Sequence, residues 1–305
     1  MATPTHIAFI DESNPNVGRF RSLSVVSVPY RERDGIAQTL AAALADSGIS
    51  RELKWNRVKS AREGFAAHKV IDHVMDWTHG GQMRVDTLTW DTLDSRHSVI
   101  GRDDQANYER MYYWLLVVAL GRRWGSNTVW HIHPDEAHAD WETLASCLHY
   151  GDRKRLRKQP VQMGMLGDGW NMGFTPMLVE TRASHDEPLI QVADFFAGMS
   201  SWAATNYDLY QRSAVALGGQ GCLFDEMASV LSNSERCRCG VLSHLLGRCR
   251  EHKYPVSLNT ERHLKTMKST CGLNFWPWTP QGEYDKAPTR EDSRSEQNGW
   301  RSGAG

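Results

Sequence analysis

Short apolar stretches of this chain run into carboxylates, and that habit constrains the fold more than any bulk property. The run His6-Ile7-Ala8-Phe9-Ile10 ends in Asp11-Glu12, Val129-Trp130-His131-Ile132-His133 leads past Pro134 into Asp135-Glu136, and Met177-Leu178-Val179 stops at Glu180. Runs of this length and composition read as strands. Holding carboxylates half out of water at strand ends costs energy unless something cationic compensates. In open α/β sheets, strand ends are also where ligands gather. A fourth acid, Asp194, sits inside the apolar stretch 189–196. Steps of three and four put Glu187, Gln191, Asp194 and Gly198 on one helical stripe, and Gly198 would let backbone or substrate come close to the acid.

Around these acids the pattern alternates. The first strand (6–11) and a β-branched run (22–30) read as an antiparallel pair. Helices are expected over 36–44 and over 61–78, the latter with Phe65, Ile71, Val74, Met75 and Thr78 on one face. A strand over 83–90, a buried helix over 105–124 and a strand over 128–133 that breaks at Pro134 follow. Next come a helix over 137–148, a strand over 175–180 and a helix over 188–203 with proline in its first turn. Strands and helices in this order make an α/β layer fold. Residues 216–275 read as short helices with little strand character, and 282–305 as a polar, disordered tail. The expected division is a domain over 1–205, a helical Cys/His-containing extension over 206–280 and a tail over 281–305.

With 305 residues, 40% of them hydrophobic and 23% charged, the composition excludes a disordered or fibrous chain. About 150 residues per domain is the usual scale, so a full core needs no staples. No run approaches the roughly 20 apolar residues of a membrane span, and the first residues lack a signal-peptide pattern, so a cytoplasmic protein is expected. Thirty-five Lys and Arg against 36 Asp and Glu leave a formal charge of −1, which excludes coating nucleic acid by bulk charge. Contact with nucleic acid must then come from a local basic patch. The run Arg153, Lys154, Arg155, Arg157, Lys158, with Trp170 nearby to stack on a base, is one such patch, or simply a solvated run.

Hard divalent cations prefer oxygen ligands, and three or four convergent carboxylates can hold two of them about 3.5–4 Å apart. Glu52 and Lys54, two apart in an extended segment, share a face, either as an exposed ion pair or as groups meeting substrate. His131 and His133 alternate onto the side of Asp135, for proton transfer or simply held by hydrogen bonds. Arg182, Ser184 and His185 read as the turn into the next helix. Six cysteines (Cys147, Cys222, Cys237, Cys239, Cys249, Cys271) read as thiols or metal ligands rather than a disulfide framework. Cys237, Cys239, His244, Cys249 and His252 invite a structural Zn²⁺. The single residue between Cys237 and Cys239 falls short of the usual spacing, and scattered buried thiols are the preferred reading.

Asp11-Glu12-Ser13, Glu52-Leu53-Lys54-Trp55, the Tyr112-Tyr113 helix, Asp135 and Gln191-Val192-Ala193-Asp194-Phe195-Phe196-Ala197-Gly198 together resemble the domain of unknown function 3800 family. The resemblance spans about residues 5–204. It implies a ribonuclease H-like α/β fold, a mixed sheet flanked by helices, here with a small helical C-terminal extension. It further implies a metal-dependent nuclease with Asp11, Asp135 and Asp194 as the Mg²⁺- or Mn²⁺-binding core. Glu12, Glu52 and Glu180 would be further ligands or their supports, and Lys54 a cation facing the substrate phosphate. Where the family has Gly after Asp-Glu-Ser this chain has Asn14, which tolerates left-handed backbone. The expected activity is hydrolysis of phosphodiester bonds in RNA, DNA or a hybrid by a two-metal carboxylate mechanism. The alternative is a non-catalytic nucleic-acid- or protein-binding module on the same fold, and a third option is a hydrolase of small phosphate esters.

Overall fold

The apolar run that opens the chain forms strand β1 (His6–Ser13), and the β-branched run after it forms β2 (Phe20–Pro29), paired antiparallel with Phe9 opposite Val26 and Asp11 opposite Ser24. The computed structural model describes residues 3–13, 18–94, 104–125, 127–135, 174–218, 231–258 and 262–279, together with Asp140, Trp141, Leu144 and Leu148. Strand β3 (Arg84–Asp91) continues the antiparallel meander beside β2. On the other side of β1, β4 (Thr128–Pro134) lies parallel to it, and β5 (Phe174–Val179) lies parallel to β4.

Six helices accompany these strands among the described residues: α1 (Arg33–Asp46), α2 (Ala61–His79), α3 (Asp104–Arg122), α4 (Pro188–Thr205), α5 (Tyr207–Gly218) and α6 (Asn233–Glu251). A two-residue ribbon, β6 (Val256–Ser257) with β7 (Lys265–Thr266), leads into β8 (Leu273–Pro277). Strand β8 adds to the outer edge of β3 in parallel, completing the order β5-β4-β1-β2-β3-β8. The result is the mixed sheet flanked by helices expected of a ribonuclease H-like chain.

Side-chain alternation along the strands divides the core in two. Ile7 and Phe9 of β1 pack with α1, α2, α4 and α6, through residues such as Leu40, Ile71, Phe195 and Leu245. Ala8 and Ile10 face the other way, onto Tyr108, Met111, Tyr112 and Leu115 of α3. Helix α4 is apolar on nearly every side and most of its residues are buried.

The structure revises parts of the sequence reading. Phe65 does not join the buried face of α2; it is 53% exposed, with the Lys69 ammonium 4.9 Å from its ring centroid. The small Gly64, Ala66 and Ala67 are buried instead. The C-terminal part is helical but not made only of short helices, since α6 is 19 residues long, opened by a capping box of Ser232 and Glu235. Nor does it lack strand: residues 273–277 are too short a run to show a period, and become a strand by pairing with the open edge of β3. Strand β4 also runs through Pro134, which ends the pairing opposite Ile10.

No helix among the described residues is long and apolar enough to cross a membrane. Asn14, Glu136, Cys147, Cys222, the basic run 153–158 with Trp170, most of the helix expected over 137–148 and the tail over 282–305 lie outside the described residues.

Candidate active site

Parallel pairing of β1 with β4 sets Phe9 opposite His133 and Ile10 opposite Pro134, and the Asp135 N–H donates to the Ile10 carbonyl at 2.9 Å. One more step of the same register brings Asp11 and Asp135 side by side where both strands end. Because β1 alternates, Asp11 shares the α4 side with Ile7 and Phe9. Asp194 approaches that same side from α4. The three acids expected to act together therefore meet at one end of one sheet face.

Electrostatics record the meeting. Asp11 is 5% exposed. Burial raises its carboxyl pKa well above the ordinary range; the charges of Asp194 and Asp135 push it the same way, and the Glu12 N–H, 2.6 Å from Oδ1, pulls it back. Asp194 is pushed up to about 7, first by burial and then by Asp135 and Glu52, against the opposing pull of the Lys54 ammonium and the Trp55 backbone amide. Oδ2 of Asp11 and Oδ2 of Asp194 are both buried without a hydrogen-bond partner. Like charges held this close with bare lone pairs mark a functional site more often than a structural one.

Lys54 supplies the nearby cation. Leu53 and Trp55 are buried, and they anchor a segment from which Glu52 and Lys54 turn together, as their spacing suggested. The Lys54 Nζ lies 3.5 Å from Glu52 Oε2. Burial alone would lower the lysine pKa, but Asp194, Glu52, Asp11 and Asp135 together hold it above its ordinary value. Glu52 is fixed by the Ser184 hydroxyl, which donates to Oε1 at 2.9 Å, and the Ser184 N–H donates to Asp135 Oδ1 at 3.1 Å. Ser184 thus ties two of the acids together, beyond the turn-forming role that its sequence context suggested.

Two further residues shape the site. The Gln191 side chain, buried one turn before Asp194, accepts from the Leu53 N–H at 3.0 Å and donates to the Ser184 carbonyl at 3.0 Å. One amide therefore holds both loops that carry site residues. Its place on the Asp194 stripe was the available sequence signal. Gly198 permits a close approach, and the group approaching is the Trp55 side chain: a Cβ on Gly198 would lie 2.4 Å from the Trp55 Cβ.

The remaining candidates point elsewhere. Glu12 follows the alternation of β1 to the α3 side, where it accepts from the Tyr112 hydroxyl. Burial raises the Tyr112 pKa, and the Glu12 charge adds to it. Glu180, half exposed, pairs with Arg182 at 3.1 Å and approaches His133 Nδ1 at 3.8 Å. His133 is itself held by the Glu180 carbonyl at 3.0 Å, and burial lowers its pKa to about 4. His131 lies in a neighbouring cavity of about 290 Å³ with Tyr30, Arg33 and Arg182.

Cys239 and Cys249 are buried in the core, where burial pushes the Cys249 thiol up to about 12, and His244 Nε2 lies 2.8 Å from Asp72 Oδ1. Among the described residues, no three His, Cys, Asp or Glu side chains are already drawn to metal-ligand distances. The carboxylates around Asp11 lie within electrostatic reach of one another rather than closed on a point. Their chemistry fits a hard cation all the same, since the donors are all oxygen and two of the buried oxygens are unsatisfied.

No family profile matches the sequence, so the resemblance to the domain of unknown function 3800 rests on its motifs alone. The chain is 37% identical over 288 residues to "Uncharacterized protein ORF2′" of Methanothermobacter thermautotrophicus, covering 92% of this chain and 96% of that protein. It is 36% identical over 288 residues to "Uncharacterized protein ORF2" of the same organism, with the same coverage. Among solved structures, a chain from the PCNA:RNase HII complex of Archaeoglobus fulgidus aligns at 13% identity with a TM-score of 0.39, over 74% of this chain and 96% of that one.

Proposed function

We propose, for a chain that belongs to the family of the ORF2 and ORF2′ proteins of Methanothermobacter thermautotrophicus, that its carboxylate site hydrolyses phosphodiester bonds of nucleic acid in a reaction dependent on Mg²⁺ or Mn²⁺. The observation that carries this reading is the pair of buried, unpartnered oxygens, Asp11 Oδ2 and Asp194 Oδ2, on carboxyls whose pKa values are raised first by burial and then by the charges of neighbouring acids. A divalent cation relieves that repulsion and satisfies those oxygens together. Asp11, Asp135 and Asp194 would hold it, with Glu52 beside them and two ions as the full complement. Bound there, the metal supplies an activated water and neutralises charge that builds on the phosphate.

The chain's own part is preorganisation. Lys54, steadied by Glu52, places an ammonium where a non-bridging phosphate oxygen can receive it. Such a donor counts most when it is fixed before charge develops. Ser184 and Gln191 keep Glu52, Asp135 and Lys54 in mutual register, so a bound phosphate meets a set geometry.

Cleavage of labelled RNA, DNA and hybrid oligonucleotides with Mg²⁺ or Mn²⁺ tests the reading. Wild type should cut, while Asp11→Asn and Asp194→Asn should lose at least about a thousandfold, roughly 4 kcal/mol of transition-state stabilisation. Activity that survives both substitutions removes the proposal. A second reading, a binding module without turnover, draws support from Lys54, which already offsets part of the negative charge. It predicts nucleic-acid or protein binding that is indifferent to metal.

A further inference from the structure

Between the end of α1 and the start of α2, the chain wraps a cavity of about 370 Å³ whose wall carries five cations: Arg51, Lys54, Arg57, Lys59 and Arg62. Two carboxylates, Glu52 and Glu63, share that wall. Five cations against two acids leave a surplus of three, on a chain whose formal charge is −1.

The acids are also partly spoken for. Glu63 is engaged by the α2 capping box with Ser60, and Glu52 is held by Ser184. Arg51, Arg57, Lys59 and Arg62 are exposed, whereas Leu53, Trp55 and Val58 between them are buried. The fold therefore pins the segment by its apolar residues and turns its cations outward. The N-terminus of the 19-residue helix α2 opens onto the same cavity and adds the positive end of its dipole.

This basic wall is continuous with the carboxylate site, because Glu52 and Lys54 belong to both. A polyanion lying on it runs directly to the acids. Among the described residues, no aromatic side chain lines the cavity, so phosphates rather than stacked bases are the contacts its wall offers.

We propose that residues 51–62 form the seat for the sugar–phosphate backbone of the substrate, gripping it without regard to base sequence and feeding it toward Asp11 and Asp194. The proposal builds on the nuclease reading and names how the substrate is held. It places a backbone contact beside the acids, apart from the basic run 153–158, which lies outside the described residues.

The test measures binding rather than cleavage. Full-length protein in EDTA is titrated against fluorescein-labelled single-stranded and duplex oligonucleotides of two unrelated sequences, by anisotropy, over a range of NaCl concentrations. Arg51→Gln, Lys59→Gln and Arg62→Gln are combined in one variant, and exposed Arg262→Gln, on the Asp208 side of the molecule, serves as the control. Each lost phosphate contact lowers the log–log salt slope by about 0.7 on single strands and about 0.9 on duplex. The triple variant should therefore lose about two units of slope on single strands and nearly three on duplex, with equal loss for both sequences, while the control keeps the wild-type slope.

A triple variant with an unchanged slope, a loss confined to one base sequence, or wild-type protein that does not bind either form overturns the seat. Circular dichroism of the triple variant separates lost binding from lost fold, and single Arg51→Gln, expected to cost about one unit, repeats the test if the triple unfolds. Failure of wild type to cleave in the separate nuclease assay would remove the activity and leave a salt-sensitive, sequence-indifferent seat standing.

Discussion

A buried carboxylate and a cluster of carboxylates lie on opposite faces of the same sheet, and the chain treats them differently. On the α3 side, Asp86 of β3 is fully buried and accepts from the Arg123 guanidinium at the end of α3, with Arg84 Nε 3.9 Å away. Arg123 is packed in turn against the Trp276 ring, 5.3 Å from its centroid. On the α4 side, Asp11 and Asp194 face each other and Asp135, with a single lysine among them that is shared with Glu52. A guanidinium provides a fixed, planar, permanent counter-charge, and it suits a carboxylate that only has to stay put. Leaving charge unbalanced beside one flexible ammonium makes sense where a mobile cation is to complete the balance. The first fits an architectural role; the second is where the proposed chemistry would sit.

Substitution should separate them. The largest effect on stability belongs to Asp86→Ala, which strands the part-buried Arg123. Breaking a buried pair from one side costs about 3–5 kcal/mol, so urea unfolding should show a loss of that order, whereas Asp11→Asn in EDTA should lose little or gain. A gain for Asp86→Ala would collapse the comparison.

Gly198→Ala comes next. The added methyl must displace Trp55, and overpacking of this kind costs about 1–3 kcal/mol. Because Trp55 anchors the segment of Lys54, activity should fall further than stability explains, as read from kcat at a temperature where the variant is fully folded.

The pH dependence sharpens the contrast further. Burial pushes the Asp194 carboxyl up to about 7 in the folded protein from an ordinary value of about 3.8, so the folded state binds the extra proton between those values. Metal-free stability should fall as pH rises through that window. His133 runs the other way: with its folded pKa at about 4 against about 6.5 unfolded, stability falls as pH drops from 6.5 toward 4. Asp194→Asn should weaken the first trend, leaving the share that buried Asp11 carries, and keep the second, as followed by denaturant midpoints from pH 4 to 8. The smallest effect belongs to Glu180→Gln, whose exposed pairing with Arg182 should be worth less than about 1 kcal/mol in the same unfolding assay.

The sequence exposed those parts of this arrangement that follow from local period. Strand ends marked Asp11 and Asp135, and the stripe of α4 marked Asp194 together with Gln191 and Gly198. Spacing by two paired Glu52 with Lys54. What it did not expose depends on the neighbour that packs on each face. The alternation of β1 separates Asp11 from Glu12, but only the docking of α4 decides which of the two meets Asp194. Glu180 obeyed the same strand-end logic, yet β5 is an edge strand and its end opens toward solvent and Arg182. The cations at 51–62 are interleaved with Leu53, Trp55 and Val58, so no run of charge announces them until the apolar residues turn inward. Strand β8 had no period of its own and exists through the edge of β3.

Thermal unfolding of wild type and Asp194→Asn at pH 8, each in EDTA and in excess Mg²⁺ or Mn²⁺, bears most directly on the claim that Asp11 and Asp194 await a cation. Ligand that binds only the folded state raises its midpoint by mass action. The metal should raise the wild-type midpoint and leave that of Asp194→Asn almost unmoved, and in EDTA the variant should unfold above wild type. Equal midpoints for wild type with and without metal, together with a variant less stable than wild type in EDTA, would show that the carboxylates are balanced from within and would contradict the account.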